Sequence, residues 1–363
     1  MTSSLAVEKQ SSTRRVLIYR LGSLGDTVVA LPALHLVARA FPHAERRMLT
    51  NLPVASKAPP SAAILEHTGL VHSYLRYPVG TRSVPELARL WWTIASWRPE
   101  VLVYLGSARG TASAQRDDQF FRFCGISRRI GVPVTETMQT HCWDETTQTL
   151  EPEAARLARN LAALGEGNLD DAANWDLHLT AEEQARADEA LRPIGGRPLI
   201  AVSVGTKVQS KDWGKENWRA LLDRLAQLYP THGLALTGAP EEKDASEFAA
   251  EGWRQAGGGE TVNLCGVLKP RESAAAFYRA RIFVGHDSGP MHLAAAVQTP
   301  CVAIFAARNK PRVWFPYGSQ HRVVYHKTDC WGCGLETCIV EKKRCLTSIT
   351  VDEVIEQIRA SLG

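Results

Sequence analysis

The feature that most constrains this chain is an alternation: a short apolar run, a loop carrying glycine, then a stretch with helical periodicity, repeated in both halves. Arg15-Val-Leu-Ile-Tyr-Arg20 is an apolar run bounded by polar residues, as a buried parallel strand would be. Gly22 and Gly25 follow it, and residues 26–41 then read as a helix with Pro32 in its first turns. Residues 47–50 suggest a second strand, and Val101-Leu-Val-Tyr-Leu105 with the helical stretch to Cys124 repeats the unit. A second series starts at residue 198, with strands expected over 198–204, 233–237, 281–285 and 301–305. Helices are expected there over 215–228, 241–254, 270–280, 291–297 and 351–362. Such alternation predicts α/β architecture with doubly wound parallel sheets.

At 363 residues the chain exceeds the size at which one core usually stops growing, so two domains are expected. The stretch 164–198 carries four glycines and two prolines, and the boundary between the two domains is expected near residues 165–197. The expected division is a lead-in over 1–14, one Rossmann-like domain over 15–175, a second over 190–350 and a terminal helix over 351–363. The 42 basic residues nearly balance 38 acidic ones, a net charge of +4, which does not announce a nucleic-acid partner. The start of the chain is Ser/Thr-rich without an apolar core, so it does not read as a secretory signal. No run approaches the ~20 apolar residues that cross a bilayer. A cytoplasmic location is therefore expected, with room for peripheral contact at the inner membrane face, and the cysteines should be reduced thiols. Cys124, Cys142, Cys265 and Cys301 read as small buried hydrophobes.

Three loops fall where strands end and helices begin, which is where open α/β sheets bind ligands. In Arg20-Leu-Gly-Ser-Leu-Gly-Asp26, Ser23 offers a hydroxyl and Asp26 stands at the mouth of a helix, placed either to accept a proton or simply to cap it. In residues 204–213, Thr206, Lys207 and Lys211 form a compact set of donors for phosphate oxygens or sugar hydroxyls, although loop lysines are commonly just solvated. The third loop, Gly285-His-Asp-Ser-Gly-Pro-Met-His292, places Asp287, Ser288 and Gly289 before a helix with Pro290 near its first position. Amides there could hold a diphosphate without a metal; the plainer alternative is a serine cap over a buried His292. The stretch after the first strand is neither a Walker loop nor G-x-G-x-x-G.

Two further segments stand out. Cys330, Cys333, Cys338 and Cys345 have the spacing C-x₂-C-x₄-C-x₆-C, open to reduced structural thiols, to a structural Zn or Fe, or to disulfides. Residues 76–98 mix arginines with Trp91, Trp92 and Trp97, either as an interface with an acceptor or membrane or, more plainly, as an amphipathic helix burying its tryptophans.

Taken together, Gly22-Ser-Leu-Gly-Asp-Thr27 with Leu31-Pro-Ala-Leu34, Lys211-Asp-Trp213 with Trp218, and Asp287-Ser-Gly-Pro-Met-His-Leu-Ala294 resemble glycosyltransferase family 9, the lipopolysaccharide heptosyltransferases. The resemblance implies a GT-B fold, two Rossmann-like domains whose parallel sheets face a central cleft, with the acceptor bound by the domain over 15–175 and the nucleotide sugar by the domain over 190–350. It implies an inverting, metal-independent transfer of heptose from ADP-heptose to a hydroxyl of a lipopolysaccharide-core or related acceptor, lipid-linked or another saccharide. It gives Asp26 the role of general base with Ser23 beside it, and Lys211 and Thr206 contacts to the donor. It further gives Asp287 the heptose hydroxyls, and Ser288 and Gly289 the diphosphate. Glu242, in Gly238-Ala-Pro-Glu-Glu242, would fix the ribose, and Leu268 would meet the adenine. No cofactor is needed in that reading. The alternatives are another nucleotide sugar, a protein or small-molecule acceptor, or a non-catalytic nucleotide-sugar-binding protein.

Overall fold

The computed structural model describes residues 12–51, 60–77 and 80–363. Most of the expected lead-in, residues 1–11, lies outside them. The chain groups into two compact units, Met1–Trp143 with Glu151–His178, and Asp144–Leu150 with Leu179–Gly363.

In the first unit, β1 (Arg15–Tyr19), β2 (Glu45–Asn51), β3 (Ser73–Tyr77), β4 (Val101–Tyr104) and β5 (Arg128–Ile130) form a parallel sheet in the order β3-β2-β1-β4-β5. Val16, Leu17 and Ile18 are fully buried, as expected for a central strand covered on both faces. The helix expected over 26–41 is two helices, α1 (Leu24–Val29) and α2 (Leu31–Ala40), joined at Ala30. Pro32, in the first turn of α2, has no N–H with which to continue α1, so the chain restarts. The other helices of this unit include α3 (Val84–Trp97), α4 (Thr111–Phe123) and α5 (Glu153–Asn160). The tryptophan stripe of α3 is only partly buried: Trp97 enters the core with Leu90 and Ile94, whereas Trp92 is 64% exposed.

A two-stranded ladder, β6 (Trp143–Asp144) with β7 (Thr149–Leu150), occupies a stretch with no element expected. The second unit then starts with α6 (Ala181–Ala190), whose Thr180 and Glu183 form a reciprocal cap. Its sheet comprises β8 (Leu199–Ser203), β9 (Gly233–Leu236), β10 (Thr261–Asn263), β11 (Ile282–His286), β12 (Cys301–Phe305) and β13 (Arg322–Tyr325), all parallel in the order β10-β9-β8-β11-β12-β13. The helices α7 (Lys215–Leu228), α8 (Lys243–Gln255), α9 (Pro270–Tyr278), α10 (Gly289–Ala296) and α11 (Val351–Leu362) complete it. Trp213, Trp218 and Trp253 are fully buried in its core, and the terminal helix α11 packs there through Val354, Ile355 and Ile358. Each unit is thus a Rossmann-like α/β domain whose strand order reverses between its first and fourth strands.

All eight cysteines are free thiols. Cys124, Cys265 and Cys301 are buried as expected, but Cys142 is exposed, because it lies just before the short β6–β7 ladder rather than on a core strand.

Candidate active site

The loop after β1 is built around Asp26. Its Oδ2 accepts the backbone N–H of Ser23 at 2.7 Å and the Ser23 hydroxyl at 2.9 Å, so the carboxylate does cap α1. Capping occupies only one oxygen: Oδ1 lies 3.9 Å from Nη2 of Arg20, and the side chain keeps 28% of its exposure. Arg20, a residue sequence reasoning passed over, is fully buried, donates to the carbonyls of Leu105 and Asp26, and puts a guanidinium beneath the carboxylate. Burial lowers its pKa, while Asp26 and Glu153 act to raise it. Gly22 has φ of +144°, and a Cβ there would stand 2.4 Å from Cβ of Asp26. The glycine is what lets the carboxylate fold back over the loop.

In the second unit the loops after β8, β9, β11 and β12 bring most of the remaining candidates to one edge of the sheet. Lys211 Nζ lies 2.6 Å from Asp287 Oδ2 and donates to the Asp287 carbonyl at 3.0 Å. Asn309, which the sequence did not single out, donates Nδ2–H to the same Oδ2 at 3.0 Å. It follows β12 in Phe305-Ala-Ala-Arg-Asn309, so a polar residue at a strand's carboxyl end was the available signal. Thr206 accepts the N–H of Val208, and Lys207 is exposed beside it.

Glu242 is held by the N–H of Ala239 at 2.8 Å, and its carboxylate fits against two glycines: a Cβ on Gly205 or on Gly238 would lie 2.0–2.4 Å from its carboxyl atoms. Burial pushes its pKa up, opposed by the Ala239 N–H and by Lys207. Leu268 is half-buried in the loop between β10 and α9.

Ser288 stands at the opening of α10 in extended conformation, yet its side chain makes no capping bond. Its Oγ is buried with no hydrogen-bond partner among the described residues. The simple serine cap is therefore not what this residue forms. No acidic side chain occupies the first turn, so the positive end of the helix is left for another anion. His292 is buried, its ring 6.5 Å from that of Trp314. His286, also unforeseen, accepts the Trp213 N–H on Nε2 at 3.1 Å, which requires a neutral ring, and Nδ1 faces the Gly205 carbonyl at 3.4 Å. Burial lowers its pKa to about 4. One imidazole thus ties the loop after β8, which carries Gly205, Lys211 and Trp213, to the end of β11, next to Asp287.

The cysteine-rich segment fastens to the same loops. Ser210 donates its N–H to the Glu336 carbonyl at 2.9 Å and its hydroxyl to the Leu335 carbonyl at 2.6 Å, while the Cys338 N–H reaches Gln209 Oε1 at 3.0 Å. Lys343 donates to the Asp212 carbonyl at 2.9 Å. Among the described residues, no group of three or more His, Cys, Asp or Glu side chains is arranged to hold a metal ion. The Cys338 sulfur instead accepts the Lys343 N–H at 3.2 Å. The thiols are nevertheless gathered, since Cys330, Cys333 and Cys338 all act electrostatically on Cys345, and backbone N–H groups lower the pKa of Cys338.

Residues 120–344 match the family described as glycosyltransferase family 9 (heptosyltransferase). Lipopolysaccharide heptosyltransferase 1 of Pseudomonas aeruginosa is 27% identical over 52% of this chain; the chain spans about half, 53%, of that relative's length. Lipooligosaccharide heptosyltransferase 2 of Campylobacter jejuni is 22% identical over 93% of this chain and 94% of its own. The solved Escherichia coli ADP-heptose lipopolysaccharide heptosyltransferase II superposes with a TM-score of 0.64 at 18% identity, covering 96% of this chain and 98% of that one, a likeness of fold. The GT-B plan and the family match agree, and the chain belongs to glycosyltransferase family 9.

Proposed function

We propose that this glycosyltransferase moves a heptose from ADP-heptose to a hydroxyl of a lipopolysaccharide-core or related saccharide acceptor, with inversion and without a metal ion. The acceptor is assigned to the first unit and the donor to the second. The observation that carries the reading is the orphaned Ser288 hydroxyl at the positive end of α10, whose first turn holds no acidic side chain, beside the Lys211–Asp287–Asn309 cluster. A buried hydroxyl without a partner costs about 1–3 kcal/mol, which a bound phosphate oxygen would recover.

In this reading the Ser288 hydroxyl, the amides of Ser288 and Gly289, Thr206 and Lys207 hold the diphosphate, and Asp287 with His292 faces the sugar. Glu242 takes the ribose hydroxyls and Leu268 the adenine. Asp26 removes the proton of the acceptor hydroxyl, whose oxygen forms a bond to the anomeric carbon as the bond to the diphosphate breaks. The leaving charge is met by Lys211 and the α10 amides, each such positioned donor contributing about 3 kcal/mol in the transition state. These groups supply the positive charge that a divalent ion would otherwise bring.

The test is thermal unfolding with ADP-heptose against UDP-sugars, followed by NMR of the product anomer in the presence of a chelator. Protection by ADP-heptose alone and an inverted product are expected. Equal protection by UDP-sugars, a retained configuration or loss of turnover on chelation would each remove the corresponding clause.

Among the described residues no helix is long and apolar enough to cross a membrane. Peripheral contact is the form of membrane association we assign, through exposed Val84 and Trp92 on α3 and Phe123 at the end of α4, beside Arg82, Arg89 and Arg122. Sedimentation with vesicles containing anionic lipid should fall on Trp92→Ser; unchanged sedimentation would reject that surface.

A further inference from the structure

The segment that follows β13 brackets Lys211. The Cys338 N–H donates to Gln209 Oε1 at 3.0 Å, and Lys343 Nζ donates to the Asp212 carbonyl at 2.9 Å, so residues 338 and 343 hold the chain on either side of the lysine. One contact joins the two ends of this bracket: the Lys343 N–H donates to Cys338 Sγ at 3.2 Å. Lys342 and Lys343 both take left-handed backbone, with φ of 46° and 62°, which L residues seldom adopt. The curl turns loop amides toward the sulfur, as in a backbone nest.

Such a setting suits a thiolate. The Lys343 N–H, aided by those of Glu341 and Val340, holds the Cys338 pKa below the ordinary thiol range. Other thiols stand near. The Gly332 N–H donates to the Ala307 carbonyl at 2.7 Å while the Ala307 N–H bonds to Cys345, so one residue after β12 draws Cys345 to the turn that carries Cys330 and Cys333. Cysteines that only fill space are enclosed, as Cys124, Cys265 and Cys301 are. Here Cys333 is exposed and Cys330, Cys338 and Cys345 are half-buried, within reach of a small oxidant.

We propose that Cys338 is a modification site for hydroperoxides, that it closes into a disulfide with a second thiol of the same segment, and that this reaction loosens the bracket around Lys211. The Cys338 thiolate attacks hydrogen peroxide: an S–O bond forms as the O–O bond breaks, the sulfur gives up two electrons, and the hydroxide released takes a proton to become water. The thiol of Cys330, Cys333 or Cys345 then attacks the sulfenic sulfur, forming the S–S bond and releasing a second water. Bringing two sulfurs to bonding distance draws Sγ of Cys338 off the Lys343 N–H, and the holds on Gln209 and Asp212 part. The consequence for turnover rests on the transfer reading; the modification site does not.

Reduced wild-type protein, Cys338→Ser and Cys142→Ser are treated with hydrogen peroxide, with and without dimedone, and mapped by tandem mass spectrometry without reductant. Cys338→Ser keeps the backbone N–H that reaches Gln209, so the bracket itself is not cut. Dimedone is expected on Cys338, and without it one intrachain disulfide from Cys338 to Cys330, Cys333 or Cys345, in the wild type and in Cys142→Ser alike. Hydrogen exchange over residues 206–213, where the Glu336 carbonyl holds the Ser210 N–H, reads the bracket with no substrate present. It should quicken about tenfold in the oxidised wild type, revert with dithiothreitol, and stay unchanged in peroxide-treated Cys338→Ser. Turnover should fall in parallel. A disulfide that forms without Cys338, one that uses Cys142, or exchange indifferent to the cross-link overturns the proposal. Should the reduced protein transfer no heptose, the transfer reading fails, while the mapping and the exchange still decide this one.

Discussion

Lys211 and Asp287 form an ion pair with Nζ 2.6 Å from Oδ2, and both side chains are largely buried, at 16% and 6% exposure. The lysine is tied a second time to the Asp287 carbonyl, so it is fixed at the residue that precedes Ser288 and α10. A cation held this way needs little reorganisation when negative charge appears on a leaving diphosphate. Lys211→Met should lower kcat by roughly 10²–10³-fold. Asp287 keeps its Asn309 bond, so the variant should fold, which circular dichroism would check. A kcat within about threefold of wild type would take Lys211 out of the transition state.

The first unit makes a parallel prediction with two variants. Asp26→Asn should leave ADP affinity unchanged and reduce turnover at least ~10²-fold, the usual worth of a positioned base. Gly22→Ala adds a methyl group that meets Cβ of Asp26 at 2.4 Å in a backbone conformation that L residues seldom adopt, so it should reproduce much of that loss with Asp26 still present. Steady-state rates and ADP titrations for both proteins check this. Near-normal turnover in Asp26→Asn would exclude the base role, whatever the alanine variant does.

The strands legible in the sequence are those with continuous burial. β1, β4, β8, β9, β11 and β12 are almost wholly buried, and each is an uninterrupted apolar run. The four unforeseen members of the two main sheets, β3, β5, β10 and β13, are all edge strands. One side of each is open, so polar residues such as Arg76, Arg128, Asn263 and Arg322 interrupt the pattern. The same logic separates the site residues. Asp26, in the first turn of α1, and Lys211 and Asp287, in loops, belong to strand-to-helix connections whose glycines and charges are visible locally. Arg20, His286 and Asn309 act through contacts reaching residues such as Leu105, Gly205 and Asp287, which are far away in sequence. The plainer expectation for α3 has it burying its tryptophans, yet Trp92 stands five residues from Trp97, about 140° around a 3.6-residue helix, so the two do not share the face that meets the sheet.

The cysteine-rich segment gives a prediction about composition. Its Leu335 and Glu336 carbonyls and the Cys338 N–H clamp Gln209 and Ser210, directly before Lys211. That clamp is made by backbone and needs no ion. Purified native protein should contain zinc and iron at far below one atom per chain, and chelator treatment should leave the unfolding midpoint and turnover unchanged. A stoichiometry near one by plasma emission, lost with activity on chelation, would restore a metal to these thiols.

The pH dependence of stability is the last consequence, and its sign follows from His286. Burial lowers its folded pKa to about 4 from 6.5, and the Trp213 N–H demands an unprotonated Nε2. Between those two values the unfolded chain binds a proton that the folded chain does not, so stability decreases as pH falls through this window and levels off below about 4. From pH 7 to pH 5 the loss from this one ring is about 2 kcal/mol, by linkage. Glu153 acts in a lower window: despite burial, Arg156 and His141 hold its folded pKa at about 2, against 4.5 unfolded, so its stabilisation is present above 4.5 and lost as pH falls toward 2. Urea unfolding at pH 7, 6 and 5 should therefore show a midpoint that falls with pH. His286→Asn, whose amide oxygen can still accept from Trp213 but does not titrate, should flatten that dependence by about the same 2 kcal/mol. An identical slope in the variant would mean that His286 is protonated in the fold, and that the loop carrying Gly205 and Lys211 is not held by a neutral imidazole.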